Sequence, residues 1–346
     1  MRGMLESPRT ESGSLMQTQA KTAVGPLDRV KILFQASSPQ FQKYTGSWFG
    51  VIKAMRDIWG ADGVRGLFRG HSATLLRIFP YAGIKFLAYE QVRTIVISDP
   101  SKETPVRRFA SGSIAGLISV FFTYPLEVIR VRMAFETKAH ARSSFVDICK
   151  QIYHEHPPTI RTPKSIDTSS LSSAAATSIS ATSGAISRAT PRSGLTNFFR
   201  GFTPTLWGMI PYAGGSFLAH DSAGDFMRHP RIAAYTTLPP SQQAANRDPT
   251  KPVPLRYWAE LLTGGFAGFV SQTMSYPLEV VRRRMQVGGV VGDGHRLGMM
   301  EVANNIYRQT GVRGFFVGLT IGYVKVIPMV AVSFYVYERG KLALGI

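Results

Sequence analysis

The sequence predicts an all-α membrane protein with six transmembrane helices in three pseudo-symmetric repeats. Each repeat holds two long helices with a short amphipathic helix between them. Three observations carry this. A ten-residue motif is written three times, as GPLDRVKILF (25–34), YPLEVIRVRM (124–133) and YPLEVVRRRM (276–285). A second motif follows each, as DGVRGLFRG, SGLTNFFRG and TGVRGFFVG, closing at Gly70, Gly201 and Gly318. Residues 111–122, 261–274 and 326–336 contain no charged side chain. Self-similarity in fixed register is the mark of a fold built by stacking one unit on its copies.

Composition narrows the function classes. The chain of 346 residues has 40 Lys and Arg against 21 Asp and Glu, a net charge of +19, while 44% of it is apolar. Such a balance fits a nucleic-acid-binding scaffold, with cations along exposed faces. It equally fits a membrane protein with cations at helix ends or in a cavity for an anion. The charge-free stretches with basic residues gathered at their ends favour the membrane and argue against a nucleic-acid partner. One cysteine, Cys149, excludes an internal disulfide, and the seven histidines form no metal-ligand spacing. No nucleophile–base pair stands at useful spacing, so neither an enzyme, nor a metal site, nor a cofactor is expected. The first 25 residues also lack the apolar run of a secretory signal.

Along the chain, repeat one is expected over 1–100, repeat two over 101–228 and repeat three over 255–346. The odd helices should end near the proline motif and the even helices begin at the closing glycine. Each needs about 20 residues to cross a bilayer. Pro26, Pro125 and Pro277 are expected to kink the odd helices, since proline removes a backbone hydrogen bond. Amphipathic segments such as 51–59 and 301–307 lie between. The pairs Gly112/Gly116 and Gly264/Gly268 should let helices approach closely. From motif proline to the first glycine of the second motif is 37 residues in repeat one, 34 in repeat three and 69 in repeat two. The surplus, about 157–193, is Ser-, Thr- and Ala-rich and reads as a disordered loop. A polar, proline-rich linker occupies 229–254. The first helix of repeat one should cover about 13–34 but carries Met16, Gln17, Thr18 and Gln19 where its counterparts are apolar. Either that helix is atypical or the start is truncated; we expect the second.

Three copies of Px[DE]xx[KR], each followed by the glycine-closed motif and a proline-bearing helix, resemble the mitochondrial carrier family. The stretches DGVRGLFRGHSATLLRIFPYAGIKFLAYEQVR and GVRGFFVGLTIGYVKVIPMVAVSFYVYER are most similar to its fungal coenzyme A carriers. The resemblance covers nearly the whole chain except 1–15 and the two insertions. It implies a six-helix barrel in the inner mitochondrial membrane, multi-pass, opening to one side at a time, with the short helices on the matrix side. A barrel with its own central site needs no partner subunit, so a monomer is expected, and FRG at 68–70 and 199–201, where repeat three has Val317, could bind cardiolipin at helix N-termini.

Acid at +2 and base at +5 from each proline share a helix face. The family pattern pairs Asp28 with Arg130, Glu127 with Arg282 and Glu279 with Lys31 as a matrix-side gate, braced by Gln35 and Gln286; repeat two has Ala134 at that place. Static bridges are the plain alternative, although charge inside a membrane is usually functional. The resemblance places a second, cytosolic gate at Tyr89, Glu90 and Arg93, at Asp221, and at Tyr337, Glu338 and Lys341. There His220 replaces the aromatic residue and Gly224 the base, so this gate should hold more weakly and bias the empty protein toward opening to the cytosol.

A substrate without threefold symmetry needs a site that breaks it. Seven residues after the closing glycines stand Arg77, Gly208 and Lys325, two cations and a glycine, mid-helix and without an evident acid partner. Arg77 can grip a phosphate with two parallel hydrogen bonds, whereas lysine acts as a point charge. By resemblance, Gly208 and Met209 face an adenine and Lys21 joins the site. Tyr212 could stack on the base, with packing as the alternative, and Lys85 is a further candidate that could instead pair with a gate acid. The reading is a carrier of coenzyme A in exchange for an adenine nucleotide. The alternative is another adenine-containing anion: ADP, ATP or adenosine 3′,5′-bisphosphate.

Overall fold

The structure, a computed structural model, describes residues 18–47, 49–97, 104–137, 143–155, 194–239, 252–288 and 297–344. Side chains at 105, 106, 108, 109, 334, 337, 338 and 340–344 lie outside that description, as do the whole 157–193 run and residues 240–251 of the linker. Among the described residues the protein is helical; the sole extended pairing is an isolated antiparallel bridge between Thr237 and Leu255.

Repeat one contributes a helical run over 18–23, then α1 (Gly25–Gln35), α2 (Gly50–Leu67) and α3 (His71–Val96). Repeat two contributes α4 (Pro105–Phe135), α5 (Phe145–His154) and α6 (Phe202–Met227). The short α7 (Ala233–Thr236) follows, and repeat three adds α8 (Tyr257–Val287), α9 (Met299–Thr310), α10 (Leu319–Val324) and α11 (Val326–Leu344). The even helices start directly after the closing glycines, which hold φ of 82°, 79° and 83°. An L side chain is strained there. A Cβ on Gly70 would also meet the Arg130 carbonyl at 2.9 Å, and one on Gly201 the Arg282 carbonyl at 3.0 Å. Glycine thus serves twice, turning the chain and letting one repeat press on the backbone of the next. Gly63 and Gly311, equivalent by repeat, also share one corner conformation (φ 66° and 64°).

As expected, the odd helices end near the motif: α1, α4 and α8 stop one or two residues after it, at Gln35, Phe135 and Val287, with α4 and α8 running through Pro125 and Pro277. Proline removes its own N–H bond and crowds the carbonyl four residues earlier, yet the Leu, Glu, Arg and Met that follow it favour continuing the helix. Pro26 lies in the first turn of α1, after a break at Val24, where a missing N–H is not needed. One expectation about the odd helices needs correction: the glycine pairs are not contact points, because a Cβ on Gly112, Gly116, Gly264 or Gly268 would find no neighbour within 4 Å. The packed stripes are the neighbouring small residues Ser111, Ala115 and Ser119 on α4, and Ala259, Thr263, Ala267 and Ser271 on α8. Along them α3 packs on α4 and α6 on α8.

The core gathers where the proline motifs converge. Each short helix buries a pair one turn apart, Ala54/Ile58, Ile148/Ile152 and Val302/Ile306, against the motif helices. Among the described residues two segments, Ala110–Phe135 and Val312–Ser333, are long and apolar enough to cross a membrane. Of the other long helices, α3 carries Arg77, Lys85, Glu90 and Arg93, and α8 carries Glu260, Glu279 and Arg282 to Arg284.

Thermal unfolding in detergent should separate the two kinds of glycine. Gly201→Ala is expected to destabilise by about 1–2 kcal/mol or more, and Gly268→Ala to be neutral or stabilising by up to about 1 kcal/mol. Equal effects would show that the left-handed corner does not constrain the fold.

Candidate functional site

Because α1, α4 and α8 continue through the motif, the +2 and +5 residues of each project from one face toward the other two helices. Arg130 Nη2 stands 3.0 Å from Asp28 Oδ2, and Lys31 Nζ stands 3.0 Å from Glu279 Oε1. Arg282 bridges Glu127. Each contact joins two different repeats. Glu127 is 1% exposed, a burial that is tolerable only with cations close by.

Arg77 and Lys325, expected to lack acid partners, both have one. Arg77 Nη1 lies 3.1 Å from Glu127 Oε2, and Lys325 Nζ 3.1 Å from Asp28 Oδ1. The partners come from neighbouring helices, which comparison within a single helix does not reveal. Arg283 Nη1 also reaches Glu127 Oε1 at 3.0 Å. The sequence reading missed it because its counterparts are Ile32 and Val131. Lys21 lies within electrostatic reach of Asp28, Lys325, Arg130 and Arg77. Seven cations (Lys21, Lys31, Arg77, Arg130, Arg282, Arg283, Lys325) therefore face three carboxylates in one cluster.

Gln35 and Gln286 are tied to tyrosines. Gln35 Nε2 donates to Tyr276 Oη at 3.0 Å and Gln286 Nε2 to Tyr124 Oη at 3.1 Å. Each tyrosine, one residue before its proline, donates in turn to the carbonyl just ahead of a closing glycine. Tyr124 reaches Arg200 O at 2.9 Å and Tyr276 reaches Val317 O at 3.0 Å. One hydroxyl thus joins the odd helix of its own repeat, the start of the following even helix, and the odd helix of the next repeat.

The other candidates are more open. A Cβ on Gly208 would meet only Leu278, at 3.6 Å. Met209 leans on the cluster around Val120 and Tyr124. Tyr212 is 51% exposed, Lys85 is exposed, and the Arg77 guanidinium lies 5.6 Å from the Tyr81 ring centroid. At the far end Tyr89 is half-buried, while Glu90, Arg93 and Asp221 are exposed. The side chains of Tyr337, Glu338 and Lys341 lie outside the described residues. His220 Nε2 faces Glu260 Oε1 at 3.6 Å. Beside Gly224, a Cβ would meet Arg228 Nη1 at 2.8 Å, so the guanidinium of a residue one turn later occupies that space.

A family model described as mitochondrial carrier protein matches residues 9–100, 101–159 and 253–345, and the chain belongs to the mitochondrial carrier family. It is 48% identical to mitochondrial carrier protein LEU5 of Saccharomyces cerevisiae over 97% of this chain and 89% of the relative. It is 32% identical to solute carrier family 25 member 16 of Homo sapiens over 95% of this chain and 86% of that protein. Mitochondrial carrier protein CoAc2 of Zea mays is also 32% identical, over 97% of this chain and 86% of that one. Members of this family are transporters of mitochondrial membranes, not enzymes.

A double-mutant cycle on Gln35→Ala and Tyr276→Phe, read by thermal unfolding, should give a coupling of about 1 kcal/mol. The same cycle on Ala134→Gln and Tyr276→Phe should give none. Additivity at Gln35 and Tyr276 would remove the hydrogen bond from any role in stability.

Proposed function

We propose that the chain carries coenzyme A across the inner mitochondrial membrane by alternating access, in exchange for an adenine nucleotide. Six helices, two from each of the repeats at 1–100, 101–228 and 255–346, would span the membrane. The broad apolar faces exposed on α3, α6 and α8, with Phe79, Leu87, Ile210, Phe217, Leu261 and Phe266 among them, support immersion in lipid.

The observation that carries the reading is the shared carboxylates. Glu127 holds Arg77 as well as Arg282, and Asp28 holds Lys325 as well as Arg130. A phosphate entering the site competes for Arg77 and Lys325, and as they leave, the acids lose part of what neutralises them. Substrate binding thereby loosens the matrix-side ring of Asp28, Lys31, Glu127, Arg130, Glu279 and Arg282, an input that can open it. The cation excess of the cluster is about matched by coenzyme A, whose diphosphate and 3′-phosphate bear about four negative charges near neutral pH. Closing the site empty would bury that excess unpaired, at a cost of several kcal/mol per charge, which favours exchange over one-way passage. Gly208 leaves room for a flat ring beside Met209, with Tyr212 and Lys21 at the rim. The abbreviation in the name of the maize relative agrees with this choice of substrate. The cytosolic gate would use Glu90, Arg93, Asp221, Glu338 and Lys341, with Tyr89 and Tyr337.

Uptake of labelled coenzyme A into proteoliposomes loaded with ADP tests this. Arg77→Ala and Lys325→Ala should each lower uptake by about tenfold or more, the loss of one charge-assisted contact to phosphate. Exchange of ADP without uptake of coenzyme A would assign the chain to another adenine-containing anion. Unchanged uptake in both variants would remove Arg77 and Lys325 from the site.

A further inference from the structure

The seam between repeats one and two lacks the tie that joins the other two. At the seam between repeats two and three, Tyr124 receives Gln286; at the seam between three and one, Tyr276 receives Gln35. The corresponding places here are Gly25 and Ala134, so both halves of the pair are missing together. A Cβ at residue 25 would meet the Phe68 ring at 3.1 Å, so any larger side chain there requires that ring to shift. A small cavity remains between Gly25, Arg29, His71, Arg130 and Ala134.

Arg29 fills the gap. Its counterparts are Val128 and Val280, yet it is 2% exposed. Its Nε donates to Ala134 O at 3.2 Å, its Nη2 to Glu136 O at 3.1 Å, and its Nη1 to Gly66 O. Asp62 lies 3.9 Å away. Arg132 makes a comparable set one repeat on, donating from Nε to Gln286 O at 2.6 Å and pairing with Glu155. Ala134 and Gln286 occupy the same place in their repeats. Arg132 stands at +7 from its proline and Arg29 at +3, one helical turn earlier, with the fully buried Leu33 at +7 in repeat one. The cation has thus moved by one turn to the seam that has lost its tyrosine–glutamine pair.

We propose that Arg29 is a positioning residue that locks the matrix end between repeats one and two. This rests on the gate reading given above. Gly66 belongs to the same repeat as Arg29, whereas Ala134 and Glu136 belong to the next. If repeats one and two part when the matrix side opens, the bonds to Ala134 and Glu136 break and the bond to Gly66 persists. Arg29 then favours the matrix-closed state alone. Removing it shifts the population toward the matrix-open state, which weakens apparent affinity on the cytosolic side and strengthens it on the matrix side.

The test measures apparent KM from each side in unidirectionally inserted proteoliposomes. The probe is coenzyme A, or ADP if that is what the wild type exchanges. Arg29→Val should raise the cytosolic-to-matrix KM ratio by about tenfold, the effect of one charge-assisted hydrogen bond. Arg29→Lys keeps the charge without the fork and should move the ratio less, in the same direction; it decides the matter if the valine variant does not fold. Glu279→Gln, run alongside, tests the gate itself. A ratio shifted by Glu279→Gln but by neither Arg29 variant makes Arg29 a static staple and overturns the inference while the gate stands. A ratio unmoved by Glu279→Gln overturns the gate reading and the inference with it.

Discussion

Three carboxylates, Glu127 buried and Asp28 and Glu279 partly so, organise this protein, and none is satisfied by its own repeat. Asp28 on α1 is neutralised by Arg130 from repeat two and Lys325 from repeat three. Glu127 on α4 takes Arg282 and Arg283 from repeat three and Arg77 from repeat one. Glu279 on α8 takes Lys31 from repeat one. A carboxylate left unpaired at such depth costs several kcal/mol, so the repeats must meet in one cyclic order with their motif faces inward. Other features accompany that meeting. The left-handed glycines Gly70 and Gly201 let even helices start against a neighbour's backbone, Tyr–Gln ties join two seams, and Arg29 bonds across the third.

The load on the three acids is unequal, and that inequality is where a threefold fold acquires a directional function. Of the extra cations, Lys325 on Asp28 and Arg77 on Glu127 come from the even-helix places that break symmetry between repeats, while Arg283 reaches Glu127 from α8. On the function proposed above, the residues that recognise an asymmetric solute are the ones that hold the ring shut in its absence, so recognition and closure would draw on one set of charges.

Much of this was legible in the sequence because equivalent residues kept the same type in the same register. The Pro/acid/base spacing and the closing glycines could be read from three lines of text, and the family resemblance supplied the ring partners Arg130, Arg282 and Lys31. The contacts of Arg77 with Glu127 and of Lys325 with Asp28 could not, since comparing equals with equals never sets an even helix beside an odd one. Ala134 read as an isolated loss until Gly25 was seen as its partner's loss; two tyrosines before two prolines, matching two glutamines nine after, were the available signal. The GxxxG pattern identified small residues without saying which way they face, and Ser111, Ala115 and Ser119, one position away, make the contact. Charges inside α3 and α8 likewise hide from hydropathy any helix whose inner face must be charged.

The isolated bridge between Thr237 and Leu255 bears on how the chain could be altered. Leu238 N donates to Pro254 O at 3.0 Å and Arg256 N to Thr236 O at 2.7 Å, while Arg228 Nε holds Val253 O at 2.8 Å. The two ends of the linker are thus clasped together beside the end of α6 and the start of α8, and whatever length of chain runs between them exerts no leverage on either helix. Doubling that length costs only about 0.6 kcal/mol of closure entropy. The clasp separates the evolution of the linker from that of the barrel, and makes this a natural place to graft a reporter or a purification handle.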